Sequence, residues 1–199
     1  QRTFNYSKKQ SENNMAETPS QMVELGTEAP DFTLHDPVNN ENRSLNELKS
    51  GKGTLIMFIC NHCPYVKHIN TGLVEFAKDY MPKGLSIVAI NSNDAENHPE
   101  DSPKKMKEYA ERLGYPFPYL FDESQEVAKA YDAACTPDFF LYDGDLKLVY
   151  RGQFDDSRPG NNKPVTGNDL RAAADKLLSG KEIDIDQIPS VGCNIKWKR

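Results

Sequence analysis

The fold of this chain is decided by the stretch Leu55-Ile56-Met57-Phe58-Ile59-Cys60-Asn61-His62-Cys63-Pro64-Tyr65-Val66. Its first five residues are continuously apolar and follow Gly51 and Gly53, as expected of a central strand that is covered on both faces. Beyond Pro64, apolar residues recur at helical spacing as far as Tyr80. A buried strand therefore runs directly into a helix, and two cysteines occupy the junction.

Strand and helix patterns alternate on both sides of this junction, as they do around a mainly parallel sheet. The predicted strands are residues 29–34, 43–44, 55–59, 85–90, 119–121, 138–142 and 147–150. The first two are expected to form a small hairpin, and residues 119–121 are expected at an edge. Asp143-Gly144 joins the last two strands and predicts an antiparallel hairpin. The pattern predicts an α/β fold with a central mixed sheet flanked by helices and an N-terminal β-hairpin extension.

The 199 residues are enough for one domain with a tail at each end. Residues 1–22 are polar and lack apolar periodicity, which predicts a flexible arm. Residues 23–180 carry the strand and helix patterns and are expected to form the domain. Residues 181–199 are predicted to be a C-terminal tail, in which Ile195 and Trp197 alternate with lysines as in an edge strand.

Composition limits the possible classes of function. The 24 basic and 30 acidic side chains give a net charge of -6, which argues against nucleic-acid and anionic-membrane partners because phosphate binding needs a positive field. The longest apolar run, from Thr54 to Cys60, is far shorter than the about 20 residues of a membrane-spanning helix.

No signal-peptide pattern follows Gln1, and we expect a cytoplasmic protein, with an exported one as the alternative. No cofactor is expected, and the oligomeric state stays open.

Cys60 and Cys63 have the spacing of a redox-active pair. The unpaired N–H groups and the dipole of a helix N-terminus favour negative charge, so Cys60 is expected to be the more exposed and more acidic thiol. A thiolate attacks disulfides, and a shielded second thiol at Cys63 can close the ring. The motif therefore predicts thiol-disulfide exchange.

His62 precedes the second cysteine of the motif. A cation or hydrogen-bond donor at this position stabilises the Cys60 thiolate relative to the disulfide, which makes the disulfide more oxidising. The alternative for His62 is a solvated turn histidine. We expect the tuning role.

Two other interpretations of the cysteine pair stay open, namely inert packing in the core and half of a zinc site. A structural zinc site needs four ligands. The remaining histidines, His35, His68 and His98, show no paired spacing, and the other two cysteines are isolated. We therefore expect no metal.

Three motifs carry a resemblance to a known family. They are Ala29-Pro30-Asp31-Phe32-Thr33-Leu34, Cys60-Asn61-His62-Cys63-Pro64-Tyr65-Val66 and Thr136-Pro137. With them, residues 26–178 resemble the thioredoxin-like redoxins of the alkyl hydroperoxide reductase and thiol-specific antioxidant superfamily. The Gly-Cys-x-Ile-Lys-Trp tail, here Gly192 to Trp197, is similar to that of one branch of this superfamily. The resemblance implies a thioredoxin fold.

The resemblance also implies roles for individual residues. Cys60 would be the attacking cysteine, Cys63 the resolving cysteine, and Pro137 a cis-proline that faces them. Thr136 would offer its backbone to an extended substrate. The partners would be protein or small-molecule thiols and disulfides.

Two features depart from the family pattern. Peroxidase members carry Pro-x-x-x-Thr/Ser-x-x-Cys, and here the Pro and Thr positions ahead of Cys60 are Gly53 and Met57. Thioredoxins also have a buried carboxylate in the strand before the cysteines, and this strand has none. We therefore expect a thiol-disulfide oxidoreductase, with a thiol peroxidase as the alternative and a redox-inert or metal-binding module as the second alternative.

Cys135 and Cys193 are possible additional thiols. Cys135 lies two residues before Pro137, and it either packs in that loop or exchanges disulfides. Cys193 lies in the tail, where it is either a resolving thiol or a passive residue. The sequence leaves both questions open.

Overall fold

The computed structural model describes residues 17–199. The strands in this range are β1 (Glu17–Pro19), β2 (Thr33–Asp36), β3 (Glu41–Ser44), β4 (Thr54–Phe58), β5 (Ser86–Asn91), β6 (Tyr119–Phe121), β7 (Cys135–Thr136), β8 (Asp138–Tyr142), β9 (Leu148–Arg151) and β10 (Val191–Asn194). The helices are α1 (Leu45–Leu48), α2 (Pro64–Tyr80), α3 (Pro103–Leu113), α4 (Glu126–Ala130) and α5 (Asn168–Leu178). A 3-10 turn, Met81–Lys83, follows α2, and another, Pro99–Asp101, precedes α3.

A seven-stranded sheet forms the centre, in the order β3-β2-β6-β5-β4-β8-β9. Its central strand, β4, pairs in parallel with β5 and antiparallel with β8, so that Ile56 lies opposite Val88 on one side and Phe140 on the other. All five residues of β4 are buried, as expected of a strand that is covered on both faces. The predicted mixed sheet flanked by helices is confirmed.

Two apolar clusters cover the two faces of the sheet because successive side chains of a strand point in opposite directions. Leu55 and Met57 belong to the cluster that also contains buried residues of α2, α3 and α5. Ile56 and Phe58 belong to the other cluster, together with Ala128 of α4. The junction of β4 and α2 is therefore held from both sides.

The helix boundaries follow the sequence signals. Pro64 is the first residue of α2, and Ser102 caps α3 by accepting a hydrogen bond from the main-chain N–H of Lys105 at 3.3 Å. Gly114 ends α3 in the left-handed conformation with φ of 66°. Within residues 17–199, no helix combines the length and the apolar character needed to span a membrane.

Both predicted hairpins are present. β2 and β3 form the N-terminal hairpin, and the pairing of His35 with Phe121 joins it to β6. β8 and β9 form the antiparallel hairpin around Asp143-Gly144. The prediction of an edge position for residues 119–121 is wrong, because the N-terminal hairpin adds two further strands beyond β6.

A separate three-stranded sheet, in the order β1-β10-β7, joins the two ends of the described chain. β10 is its middle strand, with Gly192 opposite Thr18 of β1 and Cys193 opposite Thr136 of β7. The interpretation of residues 181–199 as a tail in which Ile195 and Trp197 alternate as in an edge strand needs correction, because the strand is Val191–Asn194 and is paired on both sides.

The predicted flexible arm, residues 1–22, needs a similar correction. Glu17–Pro19 form β1 and pair with β10, and the main-chain N–H of Ser20 donates to the carbonyl of Ser190 at 2.8 Å. Main-chain pairing orders residues 17–20 although they show no apolar periodicity. Residues 1–16 lie outside the described residues.

Candidate active site

The two cysteines of the motif lie where β4 meets α2. Cys60 follows the end of the strand by two residues, and Cys63 is the N-cap residue of α2. Only 2% of Cys60 and none of Cys63 is exposed. Cys63 is shielded as predicted, but the prediction of an exposed Cys60 is wrong, because the loop that precedes β8 lies against it.

That loop carries Thr136 and Pro137, and the peptide bond between them is cis, as predicted. The Sγ of Cys60 lies 3.4 Å from Oγ1 of Thr136. The Cys63 thiol, when protonated, donates to the carbonyl oxygen of Thr136 at 3.4 Å. The structure therefore brings both cysteines and the cis-proline loop together.

The main chain of Thr136 is already engaged within the protein. It pairs with β10, and Thr136 lies directly opposite Cys193. The binding of an extended substrate to the Thr136 backbone stays a prediction. Such a substrate would meet the chain's own C-terminal strand at this edge.

Cys193 is the third thiol of the site. Its Sγ lies 2.6 Å from the Sγ of Cys63, and only 2% of the residue is exposed. Cys135 is also buried, but its thiol donates to the carbonyl oxygen of Pro137 at 3.7 Å, and burial raises its pKa. This environment favours a packing role for Cys135 and leaves Cys193 as the additional thiol beside the pair.

The pKa values of the three neighbouring thiols are shifted in different directions. Hydrogen bonds from Cys193 and Cys60 stabilise the Cys63 thiolate and lower the pKa of Cys63. Burial raises the pKa of Cys60, and the hydrogen bond to Cys63 raises the pKa of Cys193. These shifts run opposite to the expectation that Cys60 is the more acidic thiol, and the order of acidity stays a prediction. Cys63 is the N-cap residue and lies closer to the positive end of the helix dipole.

A buried carboxylate, Asp101, organises the polar side of the site. It accepts hydrogen bonds from the main-chain N–H of Asn61 at 2.7 Å, from Nδ2 of Asn91 at 3.1 Å and from Nδ2 of Asn93 at 3.0 Å. Its Oδ2 also contacts Nδ1 of His62. Burial by itself would raise the pKa of Asp101, but the contact with His62 and the hydrogen bond from Asn61 outweigh burial and lower it. Asp101 is therefore ionised at neutral pH.

His62 is bound to this carboxylate. The contact with the Asp101 carboxylate raises the pKa of His62, although partial burial opposes the shift. The His62 ring stacks on His98 with centroids 5.7 Å apart and planes 1° from parallel. The charge of Asp101 also raises the pKa of Cys60, and a protonated His62 offsets that charge. Tuning of Cys60 by His62 stays a prediction, for which Asp101 supplies a route.

Among the described residues, Cys60, His62 and Asp101 offer metal-ligand atoms that all lie within 4.8 Å of one another. The Asp101 oxygens already accept from three amide groups and contact His62. A cation would have to replace the His62 contact, and three ligands are one fewer than a structural zinc site has. These donors fit a hydrogen-bonded site better than a metal site, and the expected lack of a metal stays a prediction.

A buried ion pair anchors the cis-proline loop. Asp138 follows Pro137 directly, and its carboxylate accepts two hydrogen bonds from the guanidinium of Arg151, whose side chain is fully buried. Nε of Arg151 donates to the carbonyl of Gln21 at 3.1 Å, and the guanidinium lies 3.8 Å from the ring centroid of Phe140. The pair thus links the loop to β9 and to the segment after β1.

The model of the AhpC/TSA family matches residues 25–151, which is more than half of the chain. The chain belongs to the AhpC/TSA family. Thiol-disulfide oxidoreductase ResA from Geobacillus kaustophilus is 30% identical over 138 residues, which are 68% of this chain and 74% of that relative. This member of the AhpC/TSA family is an oxidoreductase, as predicted.

Two solved structures are similar to this chain in fold. An uncharacterized conserved protein from Geobacillus kaustophilus is 61% identical, with a TM-score of 0.92 and coverage of 94% of this chain and 98% of that chain. The thioredoxin domain of a thiol-disulfide oxidoreductase from Bacteroides vulgatus is 19% identical, with a TM-score of 0.58 and coverage of 75% of this chain and 97% of that chain. At this identity the likeness shows the fold alone, and the predicted thioredoxin fold is confirmed.

No pattern in the sequence indicates a functional role for two residues of this AhpC/TSA site, Asp101 and Arg151. An acidic residue just before a helix is ordinary, so Asp101 ahead of Ser102-Pro103 resembles a helix start. The carboxylate that is absent from β4 is instead supplied by the turn before α3. Arg151 ends a strand and has no local mark of burial.

Proposed function

We propose that the protein exchanges disulfides with protein or small-molecule thiols, with Cys60 as the nucleophile and Cys63 as the resolving thiol. The observation that carries the proposal is the packing of both sulfurs against Thr136 at the cis-proline loop, each 3.4 Å from one of its oxygens. Cys63 is enclosed by Cys60, Cys193 and the Thr136 carbonyl. A partner disulfide therefore meets Cys60 first, after a local movement of the covering chain.

The reaction has two displacement steps. The Cys60 thiolate attacks one sulfur of the partner disulfide, a mixed disulfide forms, and the other partner sulfur leaves as a thiolate. The Cys63 thiolate then attacks the Sγ of Cys60, forms the Cys60–Cys63 disulfide and releases the second partner thiolate. The partner gains two electrons and the protein loses two, and the same steps run backwards when the protein oxidises a dithiol.

The lowered pKa of Cys63 serves the second step. A thiolate at Cys63 has a low affinity for protons, so it accepts a hydrogen bond from the Cys60 thiol without taking its proton. In the second step a low pKa keeps Cys63 in the attacking form near neutral pH. His62 offsets the charge of Asp101, which otherwise disfavours the Cys60 thiolate.

Reduction of insulin disulfides, measured beside consumption of hydrogen peroxide, tests this proposal against a thiol peroxidase. We expect insulin reduction to exceed peroxide turnover, because the positions for the peroxide-binding Pro and Thr hold Gly53 and Met57. Cys60→Ser should abolish insulin reduction, whereas Cys135→Ala, at the packing cysteine, should retain it. Rapid peroxide consumption that depends on Cys60 would contradict the proposal and favour a thiol peroxidase.

The compartment and the direction of electron flow follow from the reduction potential of the Cys60–Cys63 pair. Related proteins range from about -270 mV for reductants to about -120 mV for strong oxidants. A potential near the first value would agree with the expected cytoplasmic location, and one near the second would favour an oxidising compartment.

A further inference from the structure

We infer that Cys193 is a third redox-active thiol, which takes over the disulfide from the Cys60–Cys63 pair by bonding to Cys63. The inference rests on the proposed function, because that function supplies the first disulfide. It assigns the C-terminal strand a part in the chemistry.

The sulfur positions carry this inference. The Sγ atoms of Cys63 and Cys193 are 2.6 Å apart, which is close to the about 2.05 Å of a disulfide bond. Cys60 contacts the same residue as Cys63, since its Sγ lies 3.4 Å from Oγ1 of Thr136 and the Sγ of Cys63 lies 3.4 Å from the Thr136 carbonyl oxygen. Cys63 therefore lies between two thiols, and either of them can become its partner without a large movement of the backbone.

The position of Cys193 is fixed by the strand that carries it. β10 pairs with β1 on one side and with β7 on the other. Before the strand, the hydroxyl of Ser190 donates to the carbonyl of Pro137 at 2.7 Å. After it, the carbonyl of Lys196 accepts from Nε2 of Gln125 at 2.8 Å, and its N–H donates to Oδ1 of Asn93 at 2.9 Å. Contacts on both flanks thus hold Cys193 at the cysteine pair.

The transfer is an internal thiol-disulfide exchange. The sulfur of Cys193 loses its proton and attacks the Sγ of Cys63, the Cys63–Cys193 bond forms, and the Cys60–Cys63 bond breaks. Cys60 leaves as a thiolate and takes up one proton. The number of electrons in the protein is unchanged, since the partner disulfide has already oxidised it. The oxidised protein then holds its disulfide on the C-terminal strand and regains a free Cys60.

Peptide mapping of the full chain tests the transfer without any substitution. The reduced protein is oxidised with glutathione disulfide, quenched in acid, alkylated and digested with trypsin. Residues 53–67 hold both Cys60 and Cys63, whereas residues 182–196 hold Cys193. A Cys60–Cys63 disulfide stays within one peptide, and a Cys63–Cys193 disulfide links the two peptides. We expect the linked pair to be a major oxidised product, and its absence at every glutathione ratio would overturn the inference.

Single substitutions show which cysteine forms the disulfide with Cys193. Cys60→Ser should still form the linked peptides on oxidation, Cys63→Ser should lose them, and Cys135→Ala should match the wild type. Loss of the linked peptides in Cys60→Ser and their persistence in Cys63→Ser would place the bond on Cys60 and overturn the inference.

The same map separates this inference from the proposed function. Insulin reduction together with a Cys60–Cys63 disulfide and no linked peptides would leave the proposed function standing and remove only the role of Cys193. Linked peptides without insulin reduction would leave the transfer standing, with glutathione disulfide as the source of the first disulfide, and would remove exchange with protein disulfides from the proposed function.

The equilibrium constant for oxidation of the protein gives a quantitative test of the transfer. If a fraction f of the oxidised protein carries the Cys63–Cys193 disulfide, removing Cys193 should lower the equilibrium constant for oxidation by the factor 1/(1−f). A fraction of about 0.9 corresponds to a tenfold change, or about 30 mV for a two-electron couple. Titration of wild type and Cys193→Ser against glutathione should give this factor, and an unchanged constant beside abundant linked peptides would contradict the transfer.

Discussion

A Cβ atom on Gly192 would lie 1.9 Å from the carbonyl oxygen of Thr136 and 3.1 Å from Cδ of Pro137. Real contacts of a Cβ are never this short, so only glycine lets β10 approach the cis-proline loop so closely. Because Cys193 is the next residue, this approach also sets its distance from Cys63. The C-terminal strand and the active site are therefore one packed unit.

Gly192→Ala should move β10 away from β7. We expect less Cys63–Cys193 disulfide on oxidation and faster alkylation of Cys63, while the Cys60–Cys63 disulfide still forms. Gly51→Ala is a suitable control, because a Cβ at Gly51 would meet nothing within 4 Å. If Gly192→Ala forms the linked peptides as readily as Gly51→Ala, the close approach of β10 has no part in the redox chemistry.

Substitution of Asp101 and of His62 should shift the pKa of Cys60 in opposite directions. Asp101→Asn removes a negative charge that raises this pKa, so the pKa should fall. His62→Ala leaves that charge without its partner, so the pKa of Cys60 should rise and the reduction potential should fall. The measurement is the rate of iodoacetamide alkylation of Cys60 against pH, with Glu108→Gln, on the exposed face of α3, as control. If the pKa of Cys60 shifts in the same direction in both variants, the proposed effect of His62 and Asp101 on Cys60 is contradicted.

The contact between His62 and Asp101 should stabilise the fold within a defined pH window. Because the folded pKa of His62 is raised, its contribution is complete below about pH 6.5, the unfolded value, and is lost as pH rises through the folded pKa. Because the folded pKa of Asp101 is lowered, its contribution is complete above about pH 3.9 and is lost as pH falls through the folded pKa. Urea unfolding of wild type and His62→Ala should therefore differ most near pH 5 to 6. A difference that grows above pH 8 would contradict the pairing.

Arg151→Met should destabilise the protein strongly, because it leaves the carboxylate of Asp138 buried without its partner. The expected loss in the free energy of unfolding is about 3–5 kcal/mol. Lys105→Met breaks the exposed pair with Glu108 and should cost at most about 1 kcal/mol. Urea titration measures both, and a loss below about 1 kcal/mol for Arg151→Met would contradict the anchoring role.

Short sequence patterns predicted the strands, helices and turns whose conformation is set by residues close together in the chain. The apolar run before Cys60, the helical spacing after Pro64 and the turn at Asp143-Gly144 each encode one element, and each is found. The two cysteines and Thr136-Pro137 could be placed together because their motifs resemble a family of known fold.

The rest of the site depends on contacts between distant parts of the chain. Asp101 is 40 residues from the N–H of Asn61 that it binds, and Cys193 is 130 residues from Cys63. No periodicity within either segment specifies such a partner. The burial of Cys60 was missed because a helix N-terminus alone is open to solvent, whereas here the cis-proline loop packs against it.

The order of attack by the two motif cysteines is tested most directly by trapping the mixed disulfide. Cys63→Ser, mixed with glutathione disulfide, should accumulate glutathione on Cys60, because the thiol that resolves the mixed disulfide is gone. Mass spectrometry of residues 53–67 locates the adduct and gives its rate of formation. We expect a stable adduct on Cys60 in this variant and no comparable adduct on Cys63 in Cys60→Ser. Rapid, stable glutathionylation of Cys63 in Cys60→Ser, with Cys60 unmodified in Cys63→Ser, would contradict it.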